Sequence, residues 1–288
     1  MAVLDIEKLL AYRLPEYRES YDMRDTILYA LGVGAGQSHT VDELDFVFER
    51  DLKALPTMAL VLGTPGFWAM DPKAGLDWKN ILHGEESLVI HRAIEATGEL
   101  IGTTRILDIA DKGPGKPVMI RSRRDLTTLS GVPVAQTTGV WVLRGAGGFG
   151  GTRDLGGDPL PAVPERSADC VIDLPTSRNQ ALVYRLSGDR NPLHADLALA
   201  RSVGFDEPIL HGLSTMGVIG RALLHKCADG NPDQMRSMRQ RFTAPVIPGD
   251  TIRVEIWDEG DGSARFRASV PERGVVVADS GVATFGLP

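Results

Sequence analysis

Tyr184-Arg-Leu-Ser-Gly-Asp189-Arg-Asn191-Pro192-Leu-His194 sets a carboxylate, an amide and an imidazole within six residues of one turn. Gly188 and Asp189 suit a turn, Asn191 is a good helix N-cap, and Pro192 falls where a helix tolerates a missing N–H. Two readings follow. A capped helix start with an incidental histidine uses these residue types for turn formation alone. An acid/base pair uses them for chemistry, because Asp189 and His194, five positions apart, can be aimed by the turn at one substrate atom.

The chain downstream decides between them. Gly204-Phe-Asp-Glu-Pro208-Ile-Leu-His211-Gly212-Leu-Ser-Thr-Met-Gly217 and Arg241-Phe242-Thr-Ala-Pro245-Val-Ile-Pro248-Gly249-Asp250 follow the turn. With it they resemble the MaoC-like branch of the hotdog superfamily, and within it hydratase 2, the (3R)-specific 2-enoyl-CoA hydratase. The pattern Tyr/Phe-x-Leu-Ser-Gly-Asp-x-Asn-Pro-Leu-His of that family is met at every fixed position from Tyr184 to His194. Leu28-Tyr-Ala-Leu-Gly-Val-Gly-Ala-Gly36 and Leu82-His83-Gly84 carry the resemblance into the first half. It implies an α+β double hotdog, two repeats each with a long antiparallel sheet wrapped around a central helix. The repeats are expected at 1–150 and 166–288, with a linker at 151–165.

Composition sets the outer limits. A chain of 288 residues has ample length for a core, and 43% hydrophobic with 24% charged residues is a globular profile. A net charge of −7 argues against nucleic acid or an anionic membrane as partner. No run approaches a membrane span, and the start lacks a signal-peptide pattern. Two cysteines, Cys170 and Cys227, form neither a disulfide framework nor a zinc cluster. The C-terminal Phe285-Gly-Leu-Pro288 is no peroxisomal address, which leaves a cytoplasmic enzyme as the expectation.

Faint echoes suggest an internal duplication. Tyr29 matches Tyr184, Leu82-His83-Gly84 matches Leu210-His211-Gly212, Gly98 matches Gly249, and Val134-Ala-Gln-Thr137 matches Val277-Ala-Asp-Ser280. Tyr29 and His83 are 54 positions apart against 27 for Tyr184 and His211, so the first copy carries an extra excursion near Leu55 to Trp78. Within each half helices come first and strands after. Helical spacing runs from about Pro192 to Arg201 and from Leu213 to Cys227; period-two segments include 87–94, 100–109, 117–123, 132–143, 251–257 and 265–270.

Gly145-Ala-Gly147-Gly-Phe-Gly150 fits the dinucleotide fingerprint after a strand. The residues that follow, Thr152-Arg-Asp-Leu-Gly-Gly-Asp-Pro-Leu-Pro161, cannot form the helix such a site needs, so no nicotinamide or flavin is expected. His39 and His225 lack partners in sequence, and His83 and His91 are not at a zinc-ligand spacing.

The resemblance also implies a chemistry: water adds across a trans-2-enoyl-CoA. Asp189 and His194 handle protons, Asn191 holds the water or the pair, and the Gly212 amide serves the thioester oxygen. Which of Asp189 and His194 is the base stays open at the level of sequence. His83, Gly84, Lys112, Arg190 and Phe242 are the matching acyl-CoA contacts, with Lys112 near the CoA phosphates. No metal or separate cofactor is expected, and a homodimer is. The first copy has neither the Asp nor the His, so it is expected to house the acyl chain, with Gly32, Gly34 and Gly36 shaping that space. A hotdog thioesterase and a non-catalytic acyl-CoA binding partner are the rival classes.

Overall fold

Period-two patterning makes strands because every second residue faces one apolar layer. Ile252, Val254 and Ile256 are buried while the intervening Arg253 and Glu255 are half-exposed. The computed structural model describes residues 4–37 and 42–286. Its first half runs α1 (Ile6–Ala11), β1 (Tyr17–Tyr21), α2 (Met23–Gly32), α3 (Leu44–Val47), β2 (Ile81–Ile90), β3 (Gly98–Asp111), β4 (Val118–Thr128) and β5 (Pro133–Leu143). The second half runs β6 (Cys170–Pro175), α4 (Gln180–Tyr184), α5 (Leu197–Ser202), α6 (Gly212–Ala228), β7 (Met235–Phe242), β8 (Thr251–Asp258), β9 (Ser263–Val270) and β10 (Val275–Phe285). His39 lies outside the described residues. No helix among them is long and apolar enough to cross a membrane.

The strands form one antiparallel sheet in the order β1-β3-β4-β5-β2-β7-β10-β9-β8-β6. Read from either end, the order gives the same succession of equivalent strands, with β2 paired to β7 at the centre. This is the double hotdog. Tyr29 and Tyr184 sit in the equivalent helices α2 and α4, and their rings lie 6.1 Å apart across the seam. The Leu-His-Gly echo, by contrast, is not structural. Leu82-His83-Gly84 lies on β2, whereas Leu210-His211-Gly212 leads into α6.

The expected pair of central helices is also corrected. The second half has α6, 17 residues buried on nearly every side. Among the described residues of the first half only a 3₁₀ turn, Pro56–Leu60, touches α6, β2 and β5 in the corresponding place. It cannot continue as a helix, because Gly63, Pro65 and Gly66 follow at once, the two glycines with positive φ.

Close approaches at glycine fix this excursion. A Cβ on Gly220 of α6 would stand 2.8 Å from the Thr57 side chain, and one on Gly217 would likewise meet Val33, which follows α2, at 2.4 Å. The Gly63 N–H donates to Glu19, and Gly102 on β3 lies against the backbone of Gly63, where a Cβ would meet its carbonyl oxygen at 1.8 Å. Gly32 and Gly34 lie at the seam between the halves, against Tyr184 and against Arg221 and Gln180. They do not line the cavity described below, nor does Gly36, so the expectation that these glycines shape an acyl site is withdrawn.

Gly102→Val should therefore displace the excursion from β3 and cost about 2 kcal/mol or more, since the obstructing atom is backbone and cannot swing aside. Thermal unfolding of the variant against wild type measures this; an unchanged midpoint would mean that the contact anchors nothing.

Candidate active site

Where the first half lacks a central helix, a cavity of about 290 Å³ remains. It is walled by the excursion (Leu60 to Trp68), by the inner face of β2 to β5, and by the turn and helix start of the second half. Asp189, Asn191, His194, Gly212, His83 and Phe242 all line it. The excursion and the Gly188–His194 turn meet directly, since a Cβ on Gly188 would lie 3.6 Å from Thr64. Gly188 is a glycine because its φ is 122°, not because of this ordinary contact.

The turn is built by its own polar side chains. Asp189 Oδ1 accepts the Asn191 N–H at 3.1 Å, and Asn191 Oδ1 accepts the Leu193 N–H at 3.1 Å. Asn191 thus caps a single 3₁₀ turn, Pro192–His194, and not the longer helix read from the sequence. The chain restarts as α5 at Leu197, capped by Asp196. His194 projects inward, and its Nδ1–H donates to the Ile209 carbonyl at 2.8 Å. The carbonyl cannot donate, so Nδ1 carries the proton and Nε2 keeps its lone pair.

A histidine outside the expected site set completes the arrangement. His211, fully buried, stacks on His194 with ring centroids 3.7 Å apart and donates its Nε2–H to the Asp189 carbonyl at 3.1 Å. It therefore ties the turn to the start of α6. Burial lowers the pKa of His194, outweighing the raising effects of Asp189 and of the Ile209 carbonyl. Burial, with His194 beside it, holds His211 well below the ordinary imidazole value. Both rings are neutral. The first N–H groups of α6, from Gly212, have no side-chain cap, and Gly212 lines the cavity. Helix amides left unpaired in this way favour a developing negative charge.

An Asp189 oxygen and one ring nitrogen each of His194 and His211 lie within 4.8 Å of one another. Proximity alone would admit a metal ion. The rings are nearly parallel, however, so their in-plane lone pairs run side by side instead of converging on one point.

The remaining expected contacts divide. His83 lies with its ring 5.1 Å from Phe242, and its Cβ is 3.6 Å from where a Gly212 Cβ would be, so both belong to the site. Gly84 does not line the cavity: it sits at a β-bulge, with no room for a Cβ against Val142. Arg190 is exposed and also off the cavity. Lys112 is paired with Asp154 at 2.9 Å, away from the lining. The glycine fingerprint has a different use. The N–H groups of Gly113, Gly148 and Gly150 bond the buried Asp111 carboxylate. Burial raises that carboxyl's pKa, and these amides outweigh it and hold the group low.

Known families and proteins match this chain over most of its length. The MaoC-like domain family matches residues 160–280, and the N-terminal domain family of multifunctional enzyme type 2 hydratase 2 matches residues 20–145. A Mycobacterium tuberculosis protein, 3-hydroxyacyl-thioester dehydratase Y, is 44% identical over 86% of this chain and 85% of its own. A MaoC-like dehydratase from Phytophthora capsici superposes with a TM-score of 0.85 at 35% identity, over 99% of each chain. The full-length peroxisomal multifunctional enzyme type 2 of Drosophila melanogaster gives a TM-score of 0.81 at 33% identity, over 94% of this chain and 48% of that one.

The neutral imidazoles have a consequence for stability. Their folded pKa values lie below the unfolded value of about 6.5, so the unfolded chain binds the protons that the native state refuses. Their contribution is present above about pH 6.5 and is lost as pH falls, by up to about 1.4 kcal/mol per pH unit for each ring. Urea unfolding at about pH 7.5 and 5.5 reads this slope. His211→Phe, which keeps a ring in the stack, should flatten it; an unaltered slope would mean that His211 titrates normally in the fold.

Proposed function

The chain belongs to the MaoC-like family, in its hydratase 2 lineage, and from that premise we propose that it reversibly adds water across trans-2-enoyl-CoA to give (3R)-3-hydroxyacyl-CoA. One observation carries this reading: a carboxylate, a neutral imidazole with a free Nε2 and uncapped helix amides face a single cavity.

Water is a weak nucleophile toward C3, and it needs a base as the new C–O bond forms. His194 Nε2 accepts that proton, since its Nδ1–H is committed to Ile209. The imidazolium so formed is stabilised by Asp189. As water attacks, negative charge moves to the thioester oxygen, where the Gly212 N–H stabilises the enolate. The same imidazolium then returns its proton to C2, which restores neutral His194 and leaves H and OH added to the double bond. Asp189 orients the attacking water, and Asn191 keeps the turn in register through its two backbone bonds. Beyond the CoA of the substrate, these steps call on no cofactor or metal ion.

The acyl chain runs into the first half, beneath Leu60 to Trp68; those residues share the cavity with Asp189 and His194. The enzyme acts as a cytoplasmic homodimer. Leu31, Leu182 and Leu186, 43%, 52% and 56% exposed on and beside the adjoining α2 and α4, offer an apolar patch for the second copy. No feature of the site favours thioester hydrolysis over hydration.

Asp189→Asn and His194→Ala should each lower kcat/KM for crotonyl-CoA by about 10² or more, read from the loss of the conjugated thioester absorbance. Near wild-type turnover in either variant would remove that residue from the chemistry. Because one residue both takes and returns the proton, OH and H arrive on the same face. In D₂O the product should be the syn adduct of (3R) configuration, and an anti or (3S) product would overturn the mechanism.

A further inference from the structure

The inner face of the sheet is apolar where α6 covers it: β8 and β9 turn Ile252, Val254, Ile256, Ala264, Phe266 and Ala268 inward. The equivalent face of the first half departs from this in the middle of every strand. On β4, the inward positions Ile120 and Leu126 are buried and apolar, yet Ser122 and Arg124 stand between them. Cross-strand pairing sets Arg124 between Thr104 on β3 and Thr137 on β5. Ser122 lies opposite Gly139, which in turn lies opposite Glu86 on β2. All of these except Gly139 offer polar side chains, and all line the cavity.

Glu86 is only 5% exposed, with one oxygen 2.7 Å from His83 Nε2. Gly139 makes room for the pair, since a Cβ there would stand 2.7 Å from the Glu86 carboxylate. Arg124 spends one Nη on the carbonyls of Ala59 and Leu60, which ties the excursion down, but its buried Nε has no partner. Thr104 Oγ1 is likewise buried and unpartnered. Unpaired groups of this kind cost about 1–3 kcal/mol each, and a plain alkyl chain laid over them would leave that cost standing.

We propose that this patch recognises an oxygen substituent on the acyl chain, a hydroxyl held by the unpartnered Arg124 Nε–H, with Thr104 on one side of Arg124 or Glu86 on the other as its second partner. The natural substrate is then an oxygenated enoyl-CoA and not a simple fatty acyl thioester. A hydroxyl suits the patch because the protein offers both a cationic donor and an anionic acceptor; a distal carboxylate would be repelled by Glu86. The proposal rests on the hydratase reading for the identity of the ligand as an acyl-CoA.

The test separates binding from turnover. Calorimetry compares decanoyl-CoA with isomers carrying one hydroxyl at successive carbons beyond C4, none of which can be hydrated. At least one isomer should bind about tenfold more tightly than the plain chain. That preference should fall toward unity in Thr104→Val or in Glu86→Gln, each close to isosteric, whichever side of Arg124 the hydroxyl takes. Plain decanoyl-CoA binding as tightly as every isomer, or a preference untouched in both variants, would overturn the proposal. Crotonyl-CoA hydration by the same wild-type preparation reports on the reaction itself. Failure there with an intact hydroxyl preference would discard the hydratase reading and leave the patch assignment standing.

Discussion

One face of the ten-stranded sheet has to be covered, and the chain covers its two halves unequally. In the second half α6 does so with apolar side chains on almost every side. In the first half a single 3₁₀ turn does so, held in place by glycine contacts at Gly63, Gly102 and Gly220. A sheet that can be fully packed only by a helix leaves a void when the helix is replaced by a shorter segment. That void is the cavity, and it opens where the helix of the other half begins. The shorter cover of one repeat and the Asp189–His194 turn of the other thus meet at one space.

The same geometry sets the electrostatics. Because α6 is buried along its length, its N-terminal amides point into a space with little competing water, where a developing negative charge gains most from them. The stacked imidazoles of His194 and His211 remain neutral there for the same reason: burial penalises the charged form. Asp189 restrains the penalty on His194 without removing it, so the imidazole stays on the neutral side of its ordinary value with a carboxylate beside it. Asp111 shows the opposite outcome of burial, because several backbone N–H groups surround its carboxylate and hold it ionised.

How much was legible in the sequence depended on the range of the contacts involved. The Asp189–His194 turn was readable because it is made locally: Asp189, Asn191 and Leu193 bond one another within five positions. Alternation imposed by the sheet face made β3, β4, β5, β8 and β9 readable, whereas the segment read at 87–94 missed the start of β2 (Ile81–Ile90) and no pattern had marked β1, β6, β7 or β10. The triplets Leu82-His83-Gly84 and Leu210-His211-Gly212 misled as an echo, since identical residues serve a bulged strand in one case and a helix start in the other. Gly84 makes room for Val142; Gly212 opens an amide to the cavity. Lys112 sits in its expected segment, but its partner Asp154 comes from a stretch 42 positions away.

By itself, then, the sequence carried the family resemblance, the α+β double hotdog which that resemblance implies, and the Asp189–His194 turn, because the motif that bears them is long, local and unbroken. Only the tertiary structure decided what stands around that turn. The pairing of His211 with His194 and with the Asp189 carbonyl joins elements that the linear pattern leaves separate. The polar patch of Glu86, Thr104, Ser122 and Arg124 is drawn from three strands, and in each strand alone it reads as one or two unremarkable polar positions. Sheet register is what gathers them, and register is fixed by contacts between residues far apart in the chain, which no local pattern records.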